Sequence, residues 1–176
     1  MSIPGSPNLL LMRKAAAAVP AGPFRLSTSC RFNPSDSAYL HRTPSATSCR
    51  RIWTWSGWFK RSQVASTSTN QQKLFSCEDT DIYIEADKLC LGNSGANNLV
   101  TSQVFKDYSS WYHLVVSVDT TLPANRANQR QRMYINGKEI TAFSTRSNLS
   151  QNANTDINSG SNAHRVGANK NTTHFF

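Results

Sequence analysis

The stretches WTWSGWFK (53–60), WYHLVVSVD (111–119) and RMYINGKEI (132–140) decide the fold of this chain. Side chains alternate in all three, and together they hold all four tryptophans. Because successive side chains of a strand point to opposite faces, this alternation is typical of strands with one buried face. Asn136-Gly137 tolerates the positive φ angles of a type I′ turn, so the third stretch predicts a tight hairpin.

The alternation also predicts which side chains enter the core. One face of the first stretch carries Trp53, Trp55, Gly57 and Phe59, and the other carries Thr54, Ser56, Trp58 and Lys60. In the second stretch the predicted core residues are Tyr112, Leu114, Val116 and Val118.

Further short strands are predicted along the rest of the chain, separated by polar or glycine-containing loops. The predicted strands are 29–33, 37–42, 73–77, 99–105 and 164–167, together with a hairpin at 81–92 that turns at 86–88. The predicted loops or irregular segments are 62–72, 92–98, 121–131 and 147–163. A total of roughly nine to eleven strands predicts an all-β fold, a two-sheet antiparallel sandwich or jelly roll, rather than a parallel α/β sheet.

Composition agrees with a β-rich domain. Charged residues make up 16% of the 176 residues, which is few for a protein built from long amphipathic helices. This length suits one domain with a possible arm, and no apolar run approaches the roughly 20 residues of a membrane helix. We therefore expect no membrane association.

The positive charge lies in the first part of the chain. Residues 1–73 carry ten Lys or Arg and one acid, whereas residues 74–176 carry nine of each. Such a segment favours an acidic partner, which could be nucleic acid, an anionic surface or a neighbouring protein, although a solvated basic arm is an equal alternative. Because no recognition motif accompanies the basic residues, nucleic acid is the least favoured of these partners.

Residues 1–28 differ from the remainder in having four prolines and no acid. The order of charged and apolar residues argues against a signal peptide, and the prolines argue against the amphipathic helix of a transit peptide. We predict an extended N-terminal docking arm that lies on another protein. The candidate docking residues are Leu9, Leu10, Leu11 and Met12 as apolar anchors, with Arg13 and Lys14.

The series WTWSGWFK, LFS, hairpin, WYHLVVSVD, YINGKEI and HRVG resembles the laminin-G-like, concanavalin A-like jelly-roll domains. The resemblance covers about residues 29–167, and the order of the motifs is more specific than any one of them. SCRFNPSDSAYLHRTPS followed by WTWSGWFKR, after an SIPG arm and an alanine run, resembles virion proteins of tailed bacteriophages.

This resemblance implies a virion location and a structural role as a tail-, fibre- or capsid-associated protein that is homo-oligomeric or present in many copies. The arm would dock on another virion protein, and the sandwich of residues 29–176 would be displayed for assembly or host attachment. The alternative is a glycan-binding lectin module that is not tied to a virion. Because members of the family usually continue beyond the HRVG motif, we also expect the sandwich to lack its last strand or strands, as a fragment of a longer protein would.

No motif predicts catalysis, and we expect no enzyme activity and no cofactor. A glycosidase cluster would need a third acid beside Glu85 and Asp87, and Asp87 is predicted in a turn. His113 is predicted to be a structural, hydrogen-bonded histidine, since the spacing implies no Ser or Cys partner.

No metal site is predicted either. The cysteines and histidines lack zinc-site spacing, and free buried thiols are favoured over disulfides. Oxygen ligands for calcium are conceivable at Asp79, Asp81, Asp119 and Asn136. A turn-capping role for Asp119 is the favoured alternative.

Sugar binding usually needs an exposed aromatic side chain, and Trp58 is the candidate glycan-binding residue because it faces away from Trp53 and Trp55. Trp58 could equally be covered as a core residue, and Tyr108 and Tyr112 carry the same ambiguity.

Overall fold

A computed structural model describes residues 28–61 and 71–176 as an antiparallel two-sheet sandwich. Its strands are β1 (Leu40–Arg42), β2 (Ile52–Phe59), β3 (Gln72–Cys77), β4 (Thr80–Glu85), β5 (Lys88–Asn93), β6 (Ala96–Val104), β7 (Tyr112–Asp119), β8 (Gln131–Ile135), β9 (Lys138–Glu139), β10 (Phe143–Arg146) and β11 (His164–Val166). The large sheet has the order β1-β11-β3-β4-β5-β6-β10, and the small sheet has the order β2-β7-β8-β9. The predicted all-β sandwich is confirmed.

The core lies between the inner faces of the two sheets. In β7, Leu114, Val116 and Val118 are buried, and in β2 Trp53 and Phe59 are buried. The large sheet contributes apolar side chains from its central strands, namely Ile82, Ile84, Leu89, Leu91 and Leu99. The faces predicted from alternation in β2 and β7 are therefore the faces observed.

Tight turns join neighbouring strands of both sheets. Asn136 and Gly137 have φ angles of 49° and 79°, so the predicted type I′ hairpin between β8 and β9 is confirmed. Ala86 and Asp87 also have positive φ angles and join β4 to β5, as predicted.

Two local predictions are wrong, and one strand was missed. Residues 29–33 form no strand, because the Asn33 carbonyl accepts hydrogen bonds from the backbone N–H groups of Asp36 and Ala38 and closes a turn instead. Residues 92–98 are not a loop, because positive φ at Ser94 and Gly95 lets β5 continue directly into β6. The edge strand β10 was not predicted, since its sequence FSTR is short and its side chains are mostly exposed.

The predicted strand 37–42 is confirmed only for Leu40–Arg42. The predicted loop 121–131 contains a 3₁₀ helix at Ala124–Gln129, and another lies at Pro34–Asp36. Within the described residues no helix is long and apolar enough to span a membrane. Most of the predicted loop 62–72 lies outside the described residues.

The irregular segment 147–163 closes one end of the sandwich. Its Leu149 and Ile157 side chains join the core, although the segment is mostly polar. The indole N–H of Trp53 donates to Oγ1 of Thr155 at 2.9 Å, and this hydroxyl donates in turn to the Arg50 carbonyl at 2.8 Å. The segment therefore satisfies the polar group of a core tryptophan.

Arg61 follows β2 and is a cation buried in the domain, with 1% of its surface exposed. Its Nη2 lies 2.8 Å from Oδ1 of Asp87, its Nε donates to Gln72 at 3.1 Å, and its Nη1 donates to the carbonyl of Phe105. The ring of Tyr108 lies beneath the guanidinium at 5.0 Å. Arg61 thus ties the β4–β5 turn to the segment that follows β6.

Replacing Arg61 with Met should lower the free energy of unfolding by about 3–5 kcal/mol, because the substitution leaves Asp87 buried without its main partner. Arg51→Met is the control, since Arg51 is exposed and its only described side-chain hydrogen bond is to Asn154. The Arg51→Met substitution should lower the free energy of unfolding by less than about 1 kcal/mol. Urea denaturation measures the free energy of unfolding of both variants. Equal values for Arg61→Met and Arg51→Met would contradict the role given to Arg61.

The four cysteines are free thiols, as predicted, but only two of them are buried. Cys77 and Cys90 lie inside the domain, and burial raises the pKa of each thiol to about 12. Cys30 and Cys49 are exposed.

A thiol reagent such as Ellman's reagent should therefore modify two cysteines rapidly in the folded protein at pH 8 and all four in denaturant. The reason is that the reactive thiolate form is scarce at Cys77 and Cys90, and that both thiols are covered. Cys30→Ser together with Cys49→Ser should abolish the fast phase. Rapid modification of a third cysteine would contradict this burial pattern.

Candidate binding surface

The outer face of the small sheet carries an exposed aromatic surface. Trp58 in β2 lies directly opposite His113 in β7, and their rings stack with centroids 4.9 Å apart at an interplanar angle of 26°. The Trp58 side chain is nevertheless 56% exposed. Trp111, just before β7, is 47% exposed. We call Trp58, His113 and Ser56 the Trp58 surface.

His113 is fixed on both sides. Its Nε2 lies 2.9 Å from Oγ of Ser56 on β2, and its backbone N–H donates to Oδ1 of Asn136 at 2.8 Å in the β8–β9 turn. The prediction of a hydrogen-bonded, structural histidine is confirmed. This ring therefore supports the indole of Trp58 in a defined position.

The Ser56–His113 pair does not form a catalytic arrangement. A nucleophilic serine needs a base that is oriented by a third group, and no described carboxylate contacts His113. The pair also lies on an open sheet surface, where water is not excluded. The absence of enzyme activity stays a prediction.

Polar groups surround the Trp58 surface on the neighbouring strands. In the row that crosses the sheet, Ser56 is followed by Val115, Tyr134 and Glu139. Arg132 lies near Glu139 at 3.8 Å and donates to the Tyr134 hydroxyl at 3.4 Å, and this hydrogen bond raises the pKa of Arg132. The outer face thus combines an aromatic side chain with hydroxyl, guanidinium and carboxylate groups.

The structure resolves the ambiguity between exposed and core aromatics. Trp58 is exposed, whereas Tyr112 packs against Phe59 and Phe105 on the core side, with ring centroids 5.3 and 5.6 Å away. Tyr108 lies against the Arg61 guanidinium. Of the three candidate aromatic residues, Trp58 is the one available to a ligand.

The predicted docking residues of the arm lie outside the described residues. They are Leu9, Leu10, Leu11, Met12, Arg13 and Lys14. Their role stays a prediction.

The four side chains considered for calcium divide between the two sheets: Asp79 and Asp81 belong to the β3–β4 hairpin of the large sheet, and Asp119 and Asn136 belong to β7 and the β8–β9 turn of the small sheet. Asp119 accepts hydrogen bonds from the backbone N–H and the hydroxyl of Thr121, so its turn-capping role is confirmed. Asp79 binds Lys170 at 2.6 Å, and together with Glu78 it raises the pKa of that lysine. These contacts give Asp79 and Asp119 separate local roles.

Sequence reasoning missed two side-chain pairs. Ser56 lies 57 positions from His113 along the chain, so spacing alone could not join them. Lys73 and Asp81 form an ion pair at 2.7 Å on the outer face of the large sheet. The alternation of Asp81, Tyr83 and Glu85 with Ile82 and Ile84 was a usable signal for that face.

No protein-family profile matches this chain, and no curated protein sequence matches it. Among solved structures, mouse laminin alpha1 chain domains LG4-5 align with a TM-score of 0.54 and 10% identity, over 90% of this chain and 39% of that chain. The heptameric SAP-like pentraxin of Limulus polyphemus aligns with a TM-score of 0.48 and 21% identity, over 74% of this chain and 57% of that chain. The chain thus spans less than two thirds of both structures. Its two antiparallel sheets form a laminin-G-like, concanavalin A-like jelly roll.

Proposed function

We propose that this chain is a structural component of a tailed-phage virion whose jelly roll binds host-surface glycan through the Trp58 surface. The observation that carries the binding part is the exposed indole of Trp58, which His113 supports from one side. An aromatic face offers apolar contact to the C–H groups of a sugar ring, and nearby polar groups can bond its hydroxyls.

The fixed geometry of the Trp58 surface favours binding. A rigid aromatic side chain loses little conformational freedom when a ligand arrives, because stacking on His113 and the Ser56 hydrogen bond already hold this surface. A single exposed site of this kind gives weak affinity. Many copies on one particle would raise the avidity by several orders of magnitude without any new contact.

The virion part rests on the sequence. The stretch SCRFNPSDSAYLHRTPS followed by WTWSGWFKR is similar to phage virion proteins, and residues 1–28 combine apolar and basic residues with no acid. An arm of this composition suits docking on an acidic neighbour. Fold alone warrants no ligand and no location.

The alternative is a lectin module without a virion. It is favoured by the Trp58 surface itself, whose described contacts all lie within residues 52–139 and need no particle. The two proposals differ in what the arm does.

Trp58→Ala should weaken binding to host-derived polysaccharide about tenfold or more, because it removes the aromatic contact. A glycan array followed by titration of the best ligand measures this. Ile52→Ala is the matched control, since Ile52 is 50% exposed on the same strand and the same face. Equal affinities of the wild type and Trp58→Ala would contradict the binding role.

Deletion of residues 2–28 should abolish incorporation into particles while circular dichroism still reports a folded β-sandwich. A subtler variant replaces Leu9, Leu10, Leu11 and Met12 with Ser in the full chain, and it should reduce incorporation in the same direction. The double substitution of Arg13→Ala with Lys14→Ala tests separately whether the positive charge of the arm contributes to incorporation. Normal incorporation of the deletion variant would contradict the docking role of the arm. It would favour the alternative, a lectin module without a virion.

A further inference from the structure

A second candidate site lies on the outer face of the large sheet, away from the Trp58 surface. A pocket of about 330 Å³ opens there over β3 to β6. The side chains and backbone that matter for its chemistry belong to Lys73, Asp81, Tyr83, Glu85, Gly92 and Asn97. Its volume falls at the lower end of the roughly 300–1,000 Å³ typical of ligand pockets.

Strand alternation builds this pocket. Asp81, Tyr83 and Glu85 face outward because Ile82 and Ile84 fill the core. Gly92 lies opposite Asp81 on β5 and has no side chain, which leaves room for the Tyr83 ring, because a Cβ at this position would lie 3.4 Å from that ring and 3.3 Å from the Ala96 carbonyl oxygen.

A hydrogen-bonded network forms the floor of the pocket. Nζ of Lys73 lies 2.7 Å from Oδ2 of Asp81 and 4.1 Å from the ring centroid of Tyr83. The Tyr83 hydroxyl donates to Oδ1 of Asn97, which leaves the Asn97 amide N–H groups for another acceptor. Desolvation raises the pKa of Tyr83, so its hydroxyl stays a donor.

Two features of the pocket floor add little to the stability of the fold and favour a role in ligand binding. Lys73 is 3% exposed, and a buried ion pair gains little stability because desolvation offsets its attraction. Oδ1 of Asp81 is buried and has no hydrogen-bond partner among the described residues. Buried acceptors without a partner are rare in folded proteins.

The charges around the pocket select the class of ligand. Asp79, Asp81 and Glu85 outnumber Lys73 among the charged residues that line the pocket, so the pocket would repel an anion. Hydroxyl groups both donate and accept, so they can use the Asn97 amide as donor and the carboxylates as acceptors.

We propose that this pocket binds one unit of a neutral, polyhydroxylated ligand, a saccharide, through Asn97, Glu85 and Asp81. A ligand hydroxyl would give Oδ1 of Asp81 the donor that it lacks, after a small rotation of the carboxylate. The Trp58 surface lies on the small sheet and this pocket lies on the large sheet. The two sites therefore share no residue and bind independently.

The test is a two-dimensional amide NMR titration of the full chain with four neutral trisaccharides, built from glucose, galactose, mannose or N-acetylglucosamine. At least one should shift the amide signals of Asp81, Gly92 and Asn97. Citrate is the anionic probe and should not shift these signals, and spermidine tests whether the acidic residues bind a cation instead of a sugar. Silence of the three signals with all four sugars, or a response to spermidine or citrate alone, would overturn the proposal.

Asn97→Ala should weaken the affinity for the sugar that gives the response about tenfold, because a hydrogen bond to the ligand is lost. Gly92→Val, whose side chain would press on the Ala96 carbonyl and displace the Tyr83 ring in the pocket, should abolish the response. Asn171→Ala is the control, since Asn171 is exposed and its side chain has no described hydrogen bond. An unchanged affinity of Asn97→Ala would contradict the assignment.

Trp58→Ala separates this site from the proposed function. It should leave the shifts at Asp81, Gly92 and Asn97 unchanged, whatever it does to polysaccharide binding. Loss of these shifts in Trp58→Ala would show one shared site and would refute an independent pocket.

Discussion

The burial of apolar side chains between two sheets is the interaction on which the rest of the structure depends. Leu114 and Val116 of the small sheet and Ile82 and Leu89 of the large sheet are all fully buried. Burial of one such side chain contributes about 1.5–3 kcal/mol, and such side chains recur along strands of both sheets. Register is fixed by the same contacts, because a shift of one residue would turn every core side chain outward.

Both candidate sites follow from this constraint. When Trp53 and Phe59 turn inward, Trp58 must face outward, and when Ile82 and Ile84 turn inward, Asp81 and Tyr83 must face outward. The same alternation gives different chemistry on the two sheets. An exposed indole lies on the small sheet, and the ion pair of buried Lys73 with half-buried Asp81 lies beneath a pocket on the large one.

Local signals predicted well wherever strand alternation or turn chemistry was strong. The faces of β2 and β7 and the Asn136-Gly137 turn were predicted correctly, because each depends on neighbouring residues alone. The failures have different causes. Residues 29–33 form a local turn at Asn33 instead of a strand, and positive φ at Ser94 and Gly95 shortens the predicted loop 92–98 to a tight turn. The edge strand β10 depends on pairing with β6, about 45 positions earlier.

The sequence by itself determined the β-sandwich class, the placement of Trp58 on the face opposite Trp53 and Trp55, and the tight hairpin, because period-two alternation and positive φ are properties of short stretches. Only the tertiary structure decided that Trp58 is exposed and which distant side chains meet. The contacts of His113 with Ser56 and of Arg61 with Asp87 join residues 57 and 26 positions apart. Strand order and register bring such residues together, and neither quantity is encoded in local spacing.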